Sequence, residues 1–227
     1  MKYIISKNKS DNADFNTIYD GINASNENDE LIIKPGNYYE YLNISKNINL
    51  IGDGEDVNIL QKKDEKLDNL IFLNETCSFT NINIIANNAV ALHIFACYDI
   101  FINKCNIKSD SVAVSIIGAC KFKINNSSII SNNCSLIYNN FFDDIGCINS
   151  CKIKSLNENN ILITKNANLN IINSELDSKK KSNIVLREES KIYIENSKLY
   201  SSYNNITLRD FALKKNVSSK DTNISFN

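Results

Sequence analysis

A nine-residue phrase recurs five times along the chain, and no other sequence feature restricts the possible folds as strongly. It reads FINKCNIKS from residue 101, KINNSSIIS from 123, CINSCKIKS from 147, NIINSELDS from 170 and YIENSKLYS from 193. Aligned on the central small residue, successive copies are 22, 24, 23 and 23 residues apart, and a fainter copy, FTNINIIANN, lies one period earlier. A repeat of this length indicates a solenoid, in which each copy contacts only its neighbours.

Apolar positions inside each period are two residues apart and rich in β-branched side chains, which predicts short strands rather than helices. The small-residue column and the apolar column two residues later are Cys105, Ser127, Cys151, Ser174, Ser197 and Ile107, Ile129, Ile153, Leu176, Leu199. A second set lies upstream in each period: Val90 and Leu92, Val112 and Val114, Ser135 and Ile137, Ile161 and Ile163, Ile184 and Leu186, Ile206 and Leu208. Each period therefore contains three short strands joined by polar corners.

Three strands per period predict an all-β fold, a single-stranded parallel β-helix of roughly 23-residue rungs. We expect one domain over residues 1–227, with regular rungs over 80–210 and a last rung or C-terminal cap over 211–227. Asn tolerates the left-handed backbone region that a sharp corner requires. Five Asn residues are expected at these bends: Asn103, Asn125, Asn149, Asn173 and Asn196.

Composition restricts the partners and the compartment. The chain has 1 Pro and 6 Gly and no linker-like segment, and its formal charge of −1 makes nucleic acid an unsuitable partner. No apolar run is long enough for a signal peptide core or a membrane span, so we expect a cytoplasmic protein with no membrane contact. The 7 Cys residues include no C-x-x-C pair and there is 1 His, which argues against a zinc site and for reduced thiols.

The first part of the chain carries a different pattern. Phe15, Ile18, Tyr19 and Ile22 have helical spacing, which predicts a short capping helix over 15–24. The following segment, LIIKPGNYYEYLNISKNINLIGDG (31–54), resembles the opening of pectin-lyase-like proteins, in particular the pectinesterase type. The resemblance implies a right-handed parallel β-helix. Such scaffolds include polysaccharide lyases, esterases and hydrolases as well as non-catalytic binding proteins, so the fold does not decide the activity.

Enzymes of this superfamily carry their catalytic groups on the outer face of one strand stack. The outward row predicted for the upstream strand is His93, Ser115, Tyr138, Thr164, Arg187 and Arg209. A glycosidase needs two carboxylates about 5 to 10 Å apart, and this row contains none. The grouping that would suit a calcium-dependent lyase is Arg187 or Arg209 with Glu188, Glu189 or Asp210, and the alternative is a surface ion-pair ladder between rungs.

Pectinesterase-like chemistry implies Asp residues on successive rungs with Gln and Arg nearby. The one Gln, Gln61, lies outside the repeat, so this part of the resemblance is not met. His93 is a further catalytic candidate, and a plain surface position is the alternative.

One corner is longer than the others, because 13 residues separate Tyr138 from Cys151 where 10 separate Thr164 from Ser174. Its sequence is YNNFFDDIGC (138–147). Candidate ligand-binding residues are Tyr138, Phe141 and Phe142, and candidate catalytic residues are Asp143 and Asp144. A protruding loop of this kind binds a ligand or calcium, or is simply a solvated corner.

A second predicted outward row is apolar: Ala91, Ala113, Leu136, Leu162 and Val185, followed by Thr207. An exposed apolar row is unusual for a monomer, so we expect a second copy, a protein partner or the C-terminal segment to cover it.

Two functions remain open at this stage. The first is a non-catalytic β-helix that acts as a binding, structural or self-associating module, with carbohydrate as a further candidate ligand. The second is a small carbohydrate-active enzyme, a polysaccharide lyase or esterase of the pectin-lyase-like kind. No cofactor is expected, and calcium only under the lyase alternative.

Overall fold

The computed structural model describes residues 1–8, 11–95, 99–118 and 120–226. These residues form a parallel β-solenoid whose successive strands lie in turn on three sheets. Each polypeptide turn adds one strand to each sheet, so like strands from neighbouring rungs are hydrogen-bonded along the axis. The fold predicted from the repeat is confirmed.

The strand bounds are as follows. Sheet A contains β1 (Lys2–Ile5), β2 (Asp29–Ile33), β5 (Ile48–Gly52), β8 (Cys77–Thr80), β11 (Asp99–Asn103), β14 (Lys121–Asn125), β17 (Ile145–Asn149), β20 (Asn168–Ile172), β23 (Lys191–Glu195) and β26 (Val217–Lys220). Sheet B contains β3 (Gly36–Tyr38), β6 (Val57–Leu60), β9 (Asn83–Ala86), β12 (Asn106–Ser109), β15 (Ser128–Ser131), β18 (Lys152–Ser155), β21 (Glu175–Ser178) and β24 (Lys198–Ser201). Sheet C contains β4 (Leu42–Ile44), β7 (Asn69–Leu73), β10 (Val90–Phe95), β13 (Val114–Ile117), β16 (Leu136–Asn140), β19 (Ile161–Lys165), β22 (Ile184–Arg187) and β25 (Ile206–Arg209).

The core consists of apolar ladders that the repeat predicts for sheets A and B. In sheet A the register joins Ile102, Ile124, Ile148, Ile171 and Ile194. In sheet B it joins Ile107, Ile129, Ile153, Leu176 and Leu199. All of these except Leu199 are fully or almost fully buried. Because aliphatic side chains of similar size stack on one another, the rungs up to Leu176 contribute similar shares of apolar burial.

The corner between sheets A and B explains the small residue of the repeat. Ser127 Oγ lies 2.7 Å from the backbone oxygen of Asn125 and accepts a 3.1 Å hydrogen bond from the backbone N–H of Cys105 on the preceding rung. The Oγ atoms of Ser174 and Ser197 accept equivalent bonds from the next rung back. A small side chain is therefore required at this position, and a hydroxyl there also connects adjacent rungs.

The residue just before this small residue adopts the left-handed conformation. Its φ is positive at Lys104, Asn126, Ser150, Asn173 and Asn196. The prediction is therefore correct for the last two Asn residues of the predicted set and wrong for the first three, Asn103, Asn125 and Asn149, which end the preceding strands. Two of these three still stabilise the corner, since their side-chain oxygens accept hydrogen bonds from Asn126 (3.2 Å) and Asn173 (3.2 Å).

Sheet C differs from the predicted register. The structure pairs Leu136 with Ile161 and Tyr138 with Ile163, so Leu136 and Tyr138 point inward and Ile137 points outward. The prediction that Ser135 and Ile137 form the inward pair of this strand is wrong. In the two preceding rungs Leu92 and Val114 point inward as predicted. Their inward neighbours are Ile94 and Ile116, whereas the predicted Val90 and Val112 are only half-buried.

Helix α1 (Ile18–Ala24) packs against the N-terminal end of the solenoid through Ile18, Gly21 and Ile22. Charged side chains from the first rung stabilise both of its ends. Glu40 accepts hydrogen bonds from the first backbone N–H groups of the helix, and Lys46 Nζ donates to its last carbonyls at 2.8–3.0 Å. This arrangement suits the helix dipole and holds the cap firmly.

The C-terminal end is closed less completely. Residues 211–226 add a short 3-10 helix (Lys214–Asn216), strand β26 on sheet A and a bridge between Phe226 and Ile206. The inward side chains of the last rungs, Leu199 and Leu208, are only partly buried.

Candidate functional site

The outer face of sheet C carries a continuous row of side chains, one from each strand. The hydrogen-bonding register joins Asn43, Phe72, His93, Ser115, Ile137, Leu162, Val185 and Thr207. We call these eight residues the sheet C outer row. Its middle is apolar, and most of its members are half-buried between their neighbours. No member is a carboxylate, so this row lacks the acid pair that glycoside hydrolysis requires.

His93 stacks on Phe72, with ring centroids 5.6 Å apart and an interplanar angle of 17°. Burial lowers the pKa of His93 below its ordinary value of 6.5, so the imidazole is uncharged at neutral pH. An uncharged ring packed flat on phenylalanine extends an aromatic surface. The placement of His93 on the outer face is as predicted, and its catalytic role stays a prediction.

Further aromatic side chains continue this surface toward sheet A. Phe95 is the next outward residue of β10 and is 48% exposed, while Phe141 and Phe142 follow the end of β16 and are 53% and 60% exposed. Strand β13 lies between β10 and β16, which sets these two strands roughly 10 Å apart. We call Phe72, His93, Phe95, Phe141 and Phe142 the aromatic edge.

Tyr138 does not belong to the aromatic edge, so its predicted outward, ligand-binding position is wrong. It is fully buried, with its ring perpendicular to that of Phe122 at 4.9 Å. Its hydroxyl lies 3.2 Å from the backbone oxygen of Cys120 and 3.0 Å from that of Asp144, and it accepts a 2.8 Å hydrogen bond from Asn140. Burial raises the pKa of Tyr138 well above its usual range.

The long corner is therefore fixed from inside the solenoid. Asn140 is also fully buried, and its side-chain oxygen accepts a 3.0 Å hydrogen bond from the backbone N–H of Phe142. Tyr138 and Asn140 together fix the backbone at both ends of the 141–144 corner. Phe141 and Phe142 thus project from a rigid base.

The predicted arginine site is a set of ion pairs between rungs. Arg187 Nε lies 2.8 Å from Asp210 Oδ2, and Lys165 Nζ lies 2.9 Å from Glu188 Oε1. The hydrogen bond from Lys165 lowers the pKa of Glu188, which makes this carboxylate a weak base. The geometry agrees with the surface-ladder alternative for these residues.

Arg209 is adjacent to Arg187 in the sheet C register and is exposed. It lines a polar surface cavity of about 310 Å³ together with Glu158, Lys181 and Tyr203. The second acid of the predicted grouping, Glu189, is exposed at the neighbouring corner. The acids Asp143 and Asp144 lie in the 141–144 corner, the first exposed and the second half-buried.

Within the described residues no three His, Cys, Asp or Glu side chains come close enough to form a metal site. Calcium binding stays a prediction tied to the lyase alternative. In the same part of the chain no helix is long and apolar enough to cross a bilayer.

The predicted apolar interaction row is corrected in part. Ala91, Ala113 and Leu136 are fully buried and do not form a surface. Leu162 and Val185 do lie in the sheet C outer row, although Val185 is itself buried there. The outer row also includes two apolar residues that the repeat did not place on the outer face, Phe72 and Ile137. The sequence signal for Phe72 is the apolar segment NLIFL (69–73), which lies one period before β10.

Comparisons with known proteins support the fold. Neither a family model nor a curated protein matches the sequence. Among solved structures, the pectin methylesterase of Aspergillus niger is 15% identical, with 97% of this chain and 84% of that chain covered and a TM-score of 0.72. A pectin methylesterase in complex with a hexasaccharide is 13% identical (96% and 92% covered, TM-score 0.62), and the pectate lyase Pel9A is 10% identical (98% and 79%, TM-score 0.61). The chain thus has the right-handed β-helix fold of pectin-lyase-like proteins.

Proposed function

We propose that this protein is a non-catalytic β-helix module that binds carbohydrate along the outer face of sheet C. The observation that carries the proposal is the composition of that face. Its eight-residue row contains stacked aromatic rings and aliphatic side chains but no carboxylate. Such a face supports binding and lacks the carboxylate pair that glycoside hydrolysis requires.

Sugars are suitable ligands because each pyranose ring has an apolar C–H face that packs on a flat aromatic ring. The aromatic edge offers five rings on rigid strands or on a corner that Tyr138 and Asn140 fix. Rigid aromatic side chains lose little conformational entropy on binding, which favours recognition. The row of strands also gives an extended, repetitive surface, which matches the repetitive shape of a sugar chain.

The alternative function is a small carbohydrate-active enzyme, and the fold neighbours favour it. Pectin methylesterases and a pectate lyase share the fold at 10–15% identity, and one of these structures contains a bound hexasaccharide. Under this alternative the residues to test are Arg187, Arg209, Asp143, Asp144 and His93. At this level of sequence identity, a shared fold does not assign a catalytic role to any residue of this chain.

Isothermal titration with neutral and uronic-acid hexasaccharides, with and without calcium, tests the proposal. Phe141→Ala/Phe142→Ala should weaken binding about tenfold, which corresponds to about 1.4 kcal/mol. The matched control is Tyr200→Ala/Tyr203→Ala, a pair of similarly exposed aromatic residues near the C-terminal end. The control should bind as the unmodified protein does.

Two results would contradict the proposal. Turnover of any of these sugars that disappears in Arg187→Ala or in Asp143→Ala/Asp144→Ala would establish the enzyme alternative. If both double substitutions weaken binding equally, the sheet C face is not the site.

A further inference from the structure

Opposite ends of the solenoid carry opposite charge. Residues 1–56 contain 10 acidic and 5 basic residues, whereas residues 179–227 contain 10 basic and 5 acidic residues. Because rungs stack in chain order, these two segments lie at the two ends of the axis. A protein whose formal charge is only −1 is therefore acidic at one end and basic at the other.

The acidic end presents the outer side of the cap. Helix α1 buries one side against the first rungs and exposes Tyr19, Asp20 and Asn23 on the other. Glu27 is exposed in the turn that follows. Since Glu40 and Lys46 hold both ends of α1, this face is rigid.

The basic end presents the last rung with its apolar interior partly open. Lys214 and Lys215 are exposed in the 3-10 helix, beside Leu213 and a Phe211 that is 96% exposed. Phe211 also has a positive φ of 71°, an unfavourable backbone conformation for an aromatic residue. Exposed strained aromatic side chains at a partly open core are typical of a contact surface.

Sheet B shows the same incompleteness. Strand β24 is the last strand of sheet B, and no other described strand pairs with its outer edge. Unpaired strand edges favour association with another chain unless they are covered. The apolar side chain on the inner face of β24, Leu199, is also only partly buried.

We propose that the C-terminal end of one copy docks on the N-terminal cap of a second copy, in a head-to-tail arrangement. Charge complementarity selects this occupant: two basic ends repel one another, as do two acidic ends, whereas a basic and an acidic end attract. The contact is heterologous, so each added copy leaves one free end of each kind and the assembly grows along the axis. The lateral sheet C face stays accessible, so this proposal does not depend on carbohydrate binding.

Sedimentation velocity at about 50 µM in low salt should give a weight-average mass clearly above the 25.6 kDa of one chain. The mass should fall toward that of one chain at about 0.5 M salt, where the screening length is only about 4 Å. A basic-end variant, Lys214→Glu/Lys215→Glu, and an acidic-end variant, Asp20→Lys/Asn23→Lys, should each be monomeric alone.

The decisive measurement mixes these two variants in equal amounts. Each has one intact end, and the two reversed ends are again opposite in charge, so the mixture should regain a weight-average mass clearly above that of one chain. The matched control, Lys121→Glu/Lys152→Glu, reverses two exposed charges on middle rungs and should still associate. Circular dichroism on every variant verifies that the fold is retained.

Three outcomes would overturn the proposal: one-chain mass for the unmodified protein in low salt, loss of association in the middle-rung control, or dimers of the acidic-end variant alone. A protein that stays monomeric yet binds a hexasaccharide would refute head-to-tail docking and leave the proposed function standing. Association without sugar binding would refute the proposed function and leave head-to-tail docking standing.

Discussion

Sheets A and B differ from sheet C in how their strands are connected. From β11 to β24, two residues always separate a sheet A strand from the following sheet B strand. Over the same rungs, four or five residues separate sheet B strands from sheet C strands, and two to four separate sheet C strands from sheet A strands. Sheets A and B therefore behave as one repeating unit, and sheet C is attached to it by corners of variable length.

This difference shows where solenoid register is encoded. A constant two-residue corner with one left-handed residue and one small residue transmits the register of each strand to the next. A corner of variable length does not, because a strand displaced by one residue exchanges its inner and outer faces. The register of sheet C is consequently set by which side chains become buried. That register in turn determines which side chains lie on its outer face.

The largest expected effect tests the register of sheet C directly. Leu136→Ala removes a fully buried side chain and should lower the free energy of unfolding by about 2–5 kcal/mol. Ile137→Ala, the adjacent outward residue, should cost less than about 1 kcal/mol. Urea denaturation of both variants measures this contrast. A reversed order of the two effects would mean that the sheet C register is one residue off.

Tyr138→Phe should have the next largest effect. Removing the hydroxyl leaves the buried Asn140 amide without one of its acceptors, at a cost of about 1–3 kcal/mol. The control is Tyr193→Phe, where the hydroxyl bonds to Glu195 on the outer face of sheet A and should contribute little. Thermal unfolding followed by circular dichroism measures both changes. Equal shifts would show that the long corner does not depend on Tyr138.

A smaller effect of opposite sign is expected in the corner between sheets A and B. Ser150 has a φ of 55°, and Asn is favoured in this region, so Ser150→Asn should stabilise the protein by up to about 1 kcal/mol. Ser150→Ala keeps the unfavourable conformation without an amide and should give no gain. The comparison uses the urea midpoint of each variant. Equal midpoints would argue that backbone strain is not what limits this corner.

The smallest effect concerns the ion pair at the corner between sheets C and A. Folding lowers the pKa of Glu188 below its ordinary 4.5, so its contribution to stability is complete above that pH and is lost as the pH falls through the lower, folded pKa. Glu188→Gln should therefore flatten the acid side of the stability profile only slightly, because both side chains of the pair are more than a third exposed. Urea midpoints between about pH 2 and pH 7 provide the measurement. A steeper acid limb in the variant would contradict the assignment.

The ladders of sheets A and B could be predicted because their columns keep a constant spacing in the sequence. The capping helix could be predicted over 15–24 from the helical spacing of Phe15, Ile18, Tyr19 and Ile22, but it begins only at Ile18, because Phe15 forms a β-bridge with Ile5. The candidate site could be predicted less well. A shift of one residue in β16 reversed the roles of Leu136, Ile137 and Tyr138, and the hydrogen bonds that Tyr138 makes with the long corner have no sequence signature.

The solenoid, its period, its three strands per rung and the small residue at each A–B corner could all be read from the sequence alone. These features follow from local spacing and side-chain size, which repeat at every rung. Three further features became clear from the packed rungs: which side chains form the outer face of sheet C, which acids pair with which bases, and how the two ends differ. Those depend on burial against neighbouring rungs, because corners of unequal length leave the relative position of adjacent strands undetermined until the strands pack.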